Sequence, residues 1–225
     1  MAVNRRAIAP ILLGVVGVAV LLGLSAWQVQ RLAWKEGLIA RLEARLAAAP
    51  AALPAAPDPE RDAFLRVALE GRLAPGMARV LTTRRPHGPG YRVIAPVETA
   101  DGRLVLADLG YVPEAEAAGA LPAPGTPITL TGALFWAAGD AFTPEPDAGA
   151  GLFFSREVAP LAAALGTEPL LVVAERHSLG ATPEAERLGV NLPNDHLGYA
   201  LTWGGLALVW GVMSVLWLRR ARRGA

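Results

Sequence analysis

Histidines stand at positions 87, 177 and 196, and they are the side chains here best suited to acid–base or metal chemistry. Only His196 lies beside a long apolar run. Read as a helix, His196, Tyr199, Trp203 and Trp210 fall at i, i+3, i+7 and i+14, on one face. An imidazole above such an aromatic stripe could ligate the iron of a planar apolar cofactor such as haem. It could equally cap its helix or hydrogen-bond at an interface, and both readings stay open on the residues alone. Other constellations are weaker. The three histidines are spaced too widely for a metal cluster. His177-Ser178 is a pair of chain neighbours, with no G-x-S-x-G elbow anywhere. No glycines fall in a G-x-G-x-x-G or P-loop pattern. Glu114/Glu116 and Glu184/Glu186 sit in Ala/Pro-rich stretches and read as solvated faces. The absence of cysteine excludes disulfides, thiolate zinc sites, iron–sulfur clusters and a cysteine nucleophile. No enzyme is expected.

The elements that must position His196 are two uncharged apolar runs. Ala7–Trp27 has 21 residues and Leu197–Leu218 has 22. As helices they would be about 31 and 33 Å long, enough to cross a hydrocarbon core of about 30 Å. The first run is longer than a signal-peptide core and no clean A-x-A site follows it, Gly23-Leu24-Ser25 being the nearest imitation, so an uncleaved anchor is expected. The pairs Ala200/Gly204, Ala207/Gly211 and Ala19/Gly23 have the small-xxx-small spacing that lets the two spans pack closely, and equally suits a dimer contact or the ordinary frequency of small residues.

The charges corroborate this reading. Arg5 and Arg6 precede the first run, and Arg219, Arg220, Arg222 and Arg223 follow the second. Every one of the 20 acids lies between, against only 15 of the 21 basic residues. A net charge of +1 therefore hides basic tips and an acidic middle, which points to a lipid bilayer as partner and away from nucleic acid. The positive-inside rule puts the arginine tail, and hence both termini, in the cytoplasm and the middle in the periplasm or an equivalent space.

The middle reads as β-rich. Helical spacing of Leu38, Ile39, Leu42 and Leu46 extends the first helix towards Pro50, and an Ala/Pro linker spans 47–59. Strand character marks 64–69, 79–83, 91–97, 104–111, 128–135 and 170–175, with Asp101-Gly102 as a hairpin turn and 157–165 as a short helix. The expected fold class is a membrane protein: two transmembrane helices flanking a β-rich (α+β) periplasmic domain, a small antiparallel sheet or barrel. Its divisions are a cytoplasmic tip (1–6), first span (7–27), helical extension and linker (28–59), β-rich domain (60–196), second span (197–218) and basic tail (219–225).

Several segments match a family pattern in order. They are Leu22-Gly23, Trp27-Gln28-Val29-Gln30-Arg31, Trp34-Lys35 and Leu38-Ile39 near the first span, and Pro193-Asn194-Asp195-His196-Leu197-Gly198-Tyr199-Ala200-Leu201-Thr202-Trp203 at the second. Between them lie Gly90-Tyr91 with Pro96, Gly110-Tyr111-Val112-Pro113 and Phe154-Ser155-Arg156-Glu157. Together these resemble the SURF1 (Surf1/Shy1) family of cytochrome c oxidase assembly factors. Leu109, Tyr111 and Glu157 depart from the family's R-G-W and R-D, whereas the membrane-border residues are intact.

The resemblance implies a bacterial inner-membrane protein that binds haem a through His196 and assists its insertion into oxidase subunit I or its assembly intermediates. Haem a synthase is a further candidate partner. Tyr199 and Trp203 would line the site, with Trp27, Gln28 and Arg31 completing it from the first span; a guanidinium suits a haem propionate. The rival reading is a cofactor-free scaffold that stabilises assembly intermediates by protein contact.

Overall fold

Residues 5–47 carry no proline after Pro10, and in the computed structural model they form one helix, α1 (Arg5–Ala47). The structure describes residues 5–117, 121–137, 139 and 142–223; residues 1–4 of the expected tip and 224–225 of the basic tail lie outside these. The last element, α4 (His196–Arg223), matches the second apolar run. Both helices are long and apolar enough to cross a membrane. The chain divides into two compact units, one made of the chain up to Arg41 and from Asn191 onward, the other of Leu42–Val190.

The second unit is a sheet closed on itself. Its elements are β1 (Ala51–Ala52), α2 (Pro59–Asp62), β2 (Arg66–Leu73), β3 (Ala78–Arg84), β4 (Gly88–Thr99), β5 (Leu104–Pro113), β6 (Pro127–Phe135), β7 (Leu152–Phe153), α3 (Val158–Leu165) and β8 (Leu171–His177). Strands pair in the order β2-β6-β8-β5-β4, and β4 returns to β2 through Gly71–Leu73 against Val97–Thr99. The barrel expectation holds and the open sheet does not. An all-antiparallel barrel is impossible with five strands, because alternating directions cannot close an odd ring. The one mismatch falls at β5–β8, which run parallel from Leu106↔Leu171 to Asp108↔Val173.

Closure needs glycine at Gly71, where β2 bonds β6 on one side and meets β4 on the other. A Cβ there would lie 2.2 Å from the Glu98 carbonyl oxygen. The second special glycine is Gly110 (φ +117°), beside a bulge that pairs Gly110 with Val93 and Asp108 with Ile94, leaving Leu109 extra. The bulge resets the pleat. Val105, Ala107 and Leu109 point into the barrel core, and so does Val112, three residues later.

Val67, Val93, Val97, Val105 and Leu134 fill that core, each wholly or almost wholly buried. A second layer covers the outside of β4, β5 and β8, where Ile94, Leu106, Leu171 and Val173 pack under Leu161 of α3 and under Phe153. Burial on both faces is why these strands read as continuous apolar runs. The Ala/Pro stretch is more than a spacer. β1 pairs parallel with β2, and the Pro54 carbonyl accepts from Arg103 Nη1 at 2.8 Å.

Asp108 is the fully buried charge of this layer. It accepts from Arg92 Nε at 2.7 Å, Arg156 Nη1 at 3.4 Å and the Gly110 amide at 3.1 Å. Burial opposes the Arg92 charge, but Asp108 and then Glu186 outweigh it and hold the guanidinium pKa above its ordinary value. Glu184 and Glu186 are exposed, as the solvated faces expected of them, and each is also ion-paired, to Arg84 and Arg92. Removing Asp108 strands two cations against the core. Asp108→Ala is expected to destabilise the β unit by about 3–5 kcal/mol, measured as loss of β-sheet circular dichroism on denaturant titration in detergent.

Arg103 and Glu168 form a forked pair at 3.0 and 2.7 Å across 65 residues. The bond from Arg103 holds the Glu168 carboxyl below its ordinary value of 4.5. A depressed carboxyl pKa lends stability that is fully present above the unfolded value and lost as pH falls through the lower folded one. Stability should therefore fall less steeply below about pH 4.5 in Glu168→Gln than in the parent, compared by thermal melts at stepped pH.

Candidate functional site

α1 and α4 run antiparallel within their unit, joined along a seam of small residues. Gly14 meets Ser214, Gly17 meets Trp210, and Gly211 faces Val18. A Cβ on Gly17 would sit 2.3 Å from Trp210 Nε1, so the indole lies directly on the α1 backbone. Ala200 and Ala207 are buried in the seam, as their small-xxx-small spacing predicts. Ala19/Gly23 is a correction: Ala19 is exposed and Gly23 has open space where a Cβ would be. Gly14 and Gly17 provide the close approach instead.

Polar links take over at one end of the seam. Ser25 Oγ donates to the Ala200 carbonyl at 2.8 Å, and Lys35 Nζ donates to the Pro193 carbonyl. Between them His196 Nδ1 lies 2.7 Å from Gln28 Oε1. An amide oxygen can only accept, so His196 carries its proton on Nδ1 and donates it to Gln28. In the neutral ring the lone pair is then on Nε2. Gln28 is buried at 9% exposure, and its own helix has no other use for that carbonyl in the hydrogen bonds seen. The ring does not cap its own helix; there the Asp195 carbonyl accepts from the Tyr199 amide at 3.2 Å.

The other residues singled out by sequence lie around this contact with different degrees of engagement. Trp203 is half-buried, while Tyr199 (54%) and Trp27 (52%) are exposed. Arg31 is exposed, with its guanidinium 4.5 Å over the Trp34 ring one turn along α1. Two side chains at this end escaped sequence reasoning. Ser25 braces the seam, and Asn194 Oδ1 is buried without a hydrogen-bond partner among the described residues, two positions before His196. A polar residue interrupting an apolar run, as Ser25 does, was the available signal.

Chemically, the arrangement is one imidazole with one committed nitrogen and one free nitrogen at the end of an apolar helix pair. Among the described residues no three His, Cys, Asp or Glu side chains converge. A metal held by Nε2 would have to bring its remaining donors with it, as the iron of a porphyrin does. His177 likewise commits one nitrogen, its Nε2 donating to the Leu109 carbonyl at 2.9 Å, but its other nitrogen, Nδ1, is buried without a hydrogen-bond partner among the described residues and is not open to a bulky ligand. Ser178 Oγ accepts from the Thr129 amide, so the two neighbours serve separate strand-end bonds.

The sequence profile described as the SURF1 family matches residues 15–208. The chain is similar to the "SURF1-like protein" of Monosiga brevicollis, 29% identical over 201 residues that cover 80% of this chain and 77% of that one. It is 27% identical over 206 residues to "Surfeit locus protein 1" of Xenopus tropicalis, covering 81% of this chain and 67% of the relative. To the "SURF1-like protein" of Drosophila melanogaster it is 30% identical over 214 residues, with 80% and 68% covered.

The native chain has no cysteine, so the seam can be tested with an introduced pair. Gly14→Cys with Ser214→Cys places the two Cβ positions 3.0 Å apart, short of the roughly 3.5–4.5 Å of a disulfide, so the bond forms with the two helices moving apart by under about 1 Å. After oxidation and proteolytic cutting in the β unit, the two fragments should stay together until reduced. Adding Gly17→Leu should lower that yield by wedging Trp210 away.

Proposed function

We propose that this chain, which belongs to the SURF1 family, is a two-pass bacterial inner-membrane protein that carries haem a for the assembly of cytochrome c oxidase. The family is one of cytochrome c oxidase assembly factors, not of enzymes. Both termini lie in the cytoplasm, by the positive-inside rule, and the β unit lies in the periplasm. The single observation that supports haem carriage is the state of the His196 ring, with Nδ1–H donated to Gln28 and Nε2 without a hydrogen-bond partner among the described residues. Metal-bound histidines commonly have their second nitrogen engaged in this way.

In this reading His196 holds the haem iron, and the exposed faces of Tyr199 and Trp203 offer the macrocycle apolar contact. Trp27 covers it from α1. Arg31, stacked on Trp34 and on no carboxylate among the described residues, offers its forked donors to a haem propionate. The haem is cargo: the recipient is oxidase subunit I or an assembly intermediate containing it, and the donor side includes haem a synthase. No catalytic step by the chain is required.

The test is purification in detergent from cells that make haem a. The parent protein should carry haem absorbance, and His196→Ala should lose at least about tenfold of it. Equal colour, or two colourless preparations, would leave the cofactor-free scaffold in its place. Deleting the gene should lower cytochrome c oxidase activity, and normal activity would overturn both readings.

A further inference from the structure

Gln28 and His196 are separated by 168 residues, yet they form the one bond between side chains that crosses the seam among the described residues. Its surroundings hold it in place. Ser25, three residues before Gln28 on the same face of α1, donates to Ala200, four residues after His196 on α4. Lys35, two turns beyond Gln28, donates to Pro193, three residues before His196. The contact is thus bracketed by a link on either side, and Gln28 is buried. A buried amide in such a place costs free energy unless its partner is reliable.

From this geometry we infer that Gln28 is the positioning residue of His196: its carbonyl fixes the ring as the Nδ1–H tautomer, aims Nε2 at the cargo, and, being a neutral acceptor, keeps that ligand weak enough to release it. The inference rests on the haem-carrier reading above and goes beyond it by assigning the control of retention and release to a residue that does not touch the iron. Three physical steps carry it. An imidazole can offer only one lone pair while neutral, and the hydrogen bond decides which nitrogen offers it. An acceptor on the far nitrogen raises the basicity of the ligating one. A carboxylate does this more strongly than an amide, because a charge-assisted bond draws the Nδ1 proton further away. A permanent site gains from a carboxylate; a carrier, which must give its haem up, is better served by an amide. The same bond couples release to the seam, since any shift of α1 against α4 that separates Gln28 from His196 frees the ring to turn.

The test uses the full chain in detergent, loaded with haem a in cells, with three readouts: reduced-state absorbance, midpoint potential, and the rate of haem transfer to apomyoglobin. Gln28→Leu removes the acceptor and should speed transfer at least about tenfold. Gln28→Glu keeps shape and acceptor but adds charge, so transfer should slow and the potential should move in the negative direction. The two variants moving in opposite directions is a result that a merely structural role for Gln28 would not produce. Should Gln28→Leu not fold, the near-isosteric Gln28→Glu carries the test alone. Wild-type potential and transfer rate in Gln28→Glu would overturn the inference, and so would haem loss in both variants. His196→Ala keeps the two failures apart: if it still loses its haem while the Gln28 variants behave as the parent, only the positioning role falls. If it keeps its haem, the carrier reading falls with it.

Discussion

A hydrogen-bonding group removed from water must find a partner inside the protein, and in this chain that requirement governs both units. At the helix pair it brings Gln28 to His196 at 2.7 Å. The apolar parts of α1 and α4 need nothing of each other beyond shape, and they meet through Gly14, Gly17 and Gly211. Where the apolar runs end, the chain places Ser25, Gln28, Lys35 and His196, and each of them bonds across the seam. The close approach permitted by glycine makes those bonds geometrically possible. The bonds in turn fix the rotation of one helix against the other.

The β unit meets the same requirement by closure. An open five-stranded sheet would leave two edge strands with unpaired N–H and C=O groups, whereas in the ring of β2, β6, β8, β5 and β4 every member has a paired neighbour on both sides. Closing an odd ring forces one parallel seam, at β5–β8, and a close backbone approach at Gly71. Asp108 is then caught on the outer face of β5, where water cannot reach it. Arg92, Arg156 and the Gly110 amide replace the water it has lost. This is a structural charge cluster, and its groups are saturated by one another. The imidazole of His196 differs in that its uncommitted nitrogen stands at the end of an apolar helix pair, whereas the uncommitted Nδ1 of His177 is buried within the β unit, and for that reason chemistry is assigned to the helix pair.

Much of this was legible in local sequence. Alternation and β-branching at 79–83, 91–97 and 128–135 anticipate β3, β4 and β6, and Asp101-Gly102 turns β4 into β5 as its dipeptide type predicts. β2 begins at Arg66, two residues after the start expected at Phe64, because Phe64 adopts a positive φ of 62° and its amide donates to the Leu134 carbonyl. Glu184 and Glu186 face solvent as expected, but their ion-pair partners Arg84 and Arg92 lie 100 and 94 residues away, beyond the reach of local pattern. Ala19/Gly23 looked like a packing pair because periodicity reports that a face is small without saying which way it turns.

From its sequence alone the chain is committed to two long apolar helices, a β-rich middle, basic ends, and a lone histidine at the border of the second helix. These follow from composition, charge and short periodicities, which act over a few residues and need no partner. Only the tertiary structure decided that five strands close into a barrel with one parallel seam, that Gly14 and Gly17 form the α1 face of the helix pair, and that Gln28 holds Nδ1 of His196. Each of those is a pairing between segments tens to more than a hundred residues apart. Local preference can make a face available, but the choice of partner is a property of the whole packed chain.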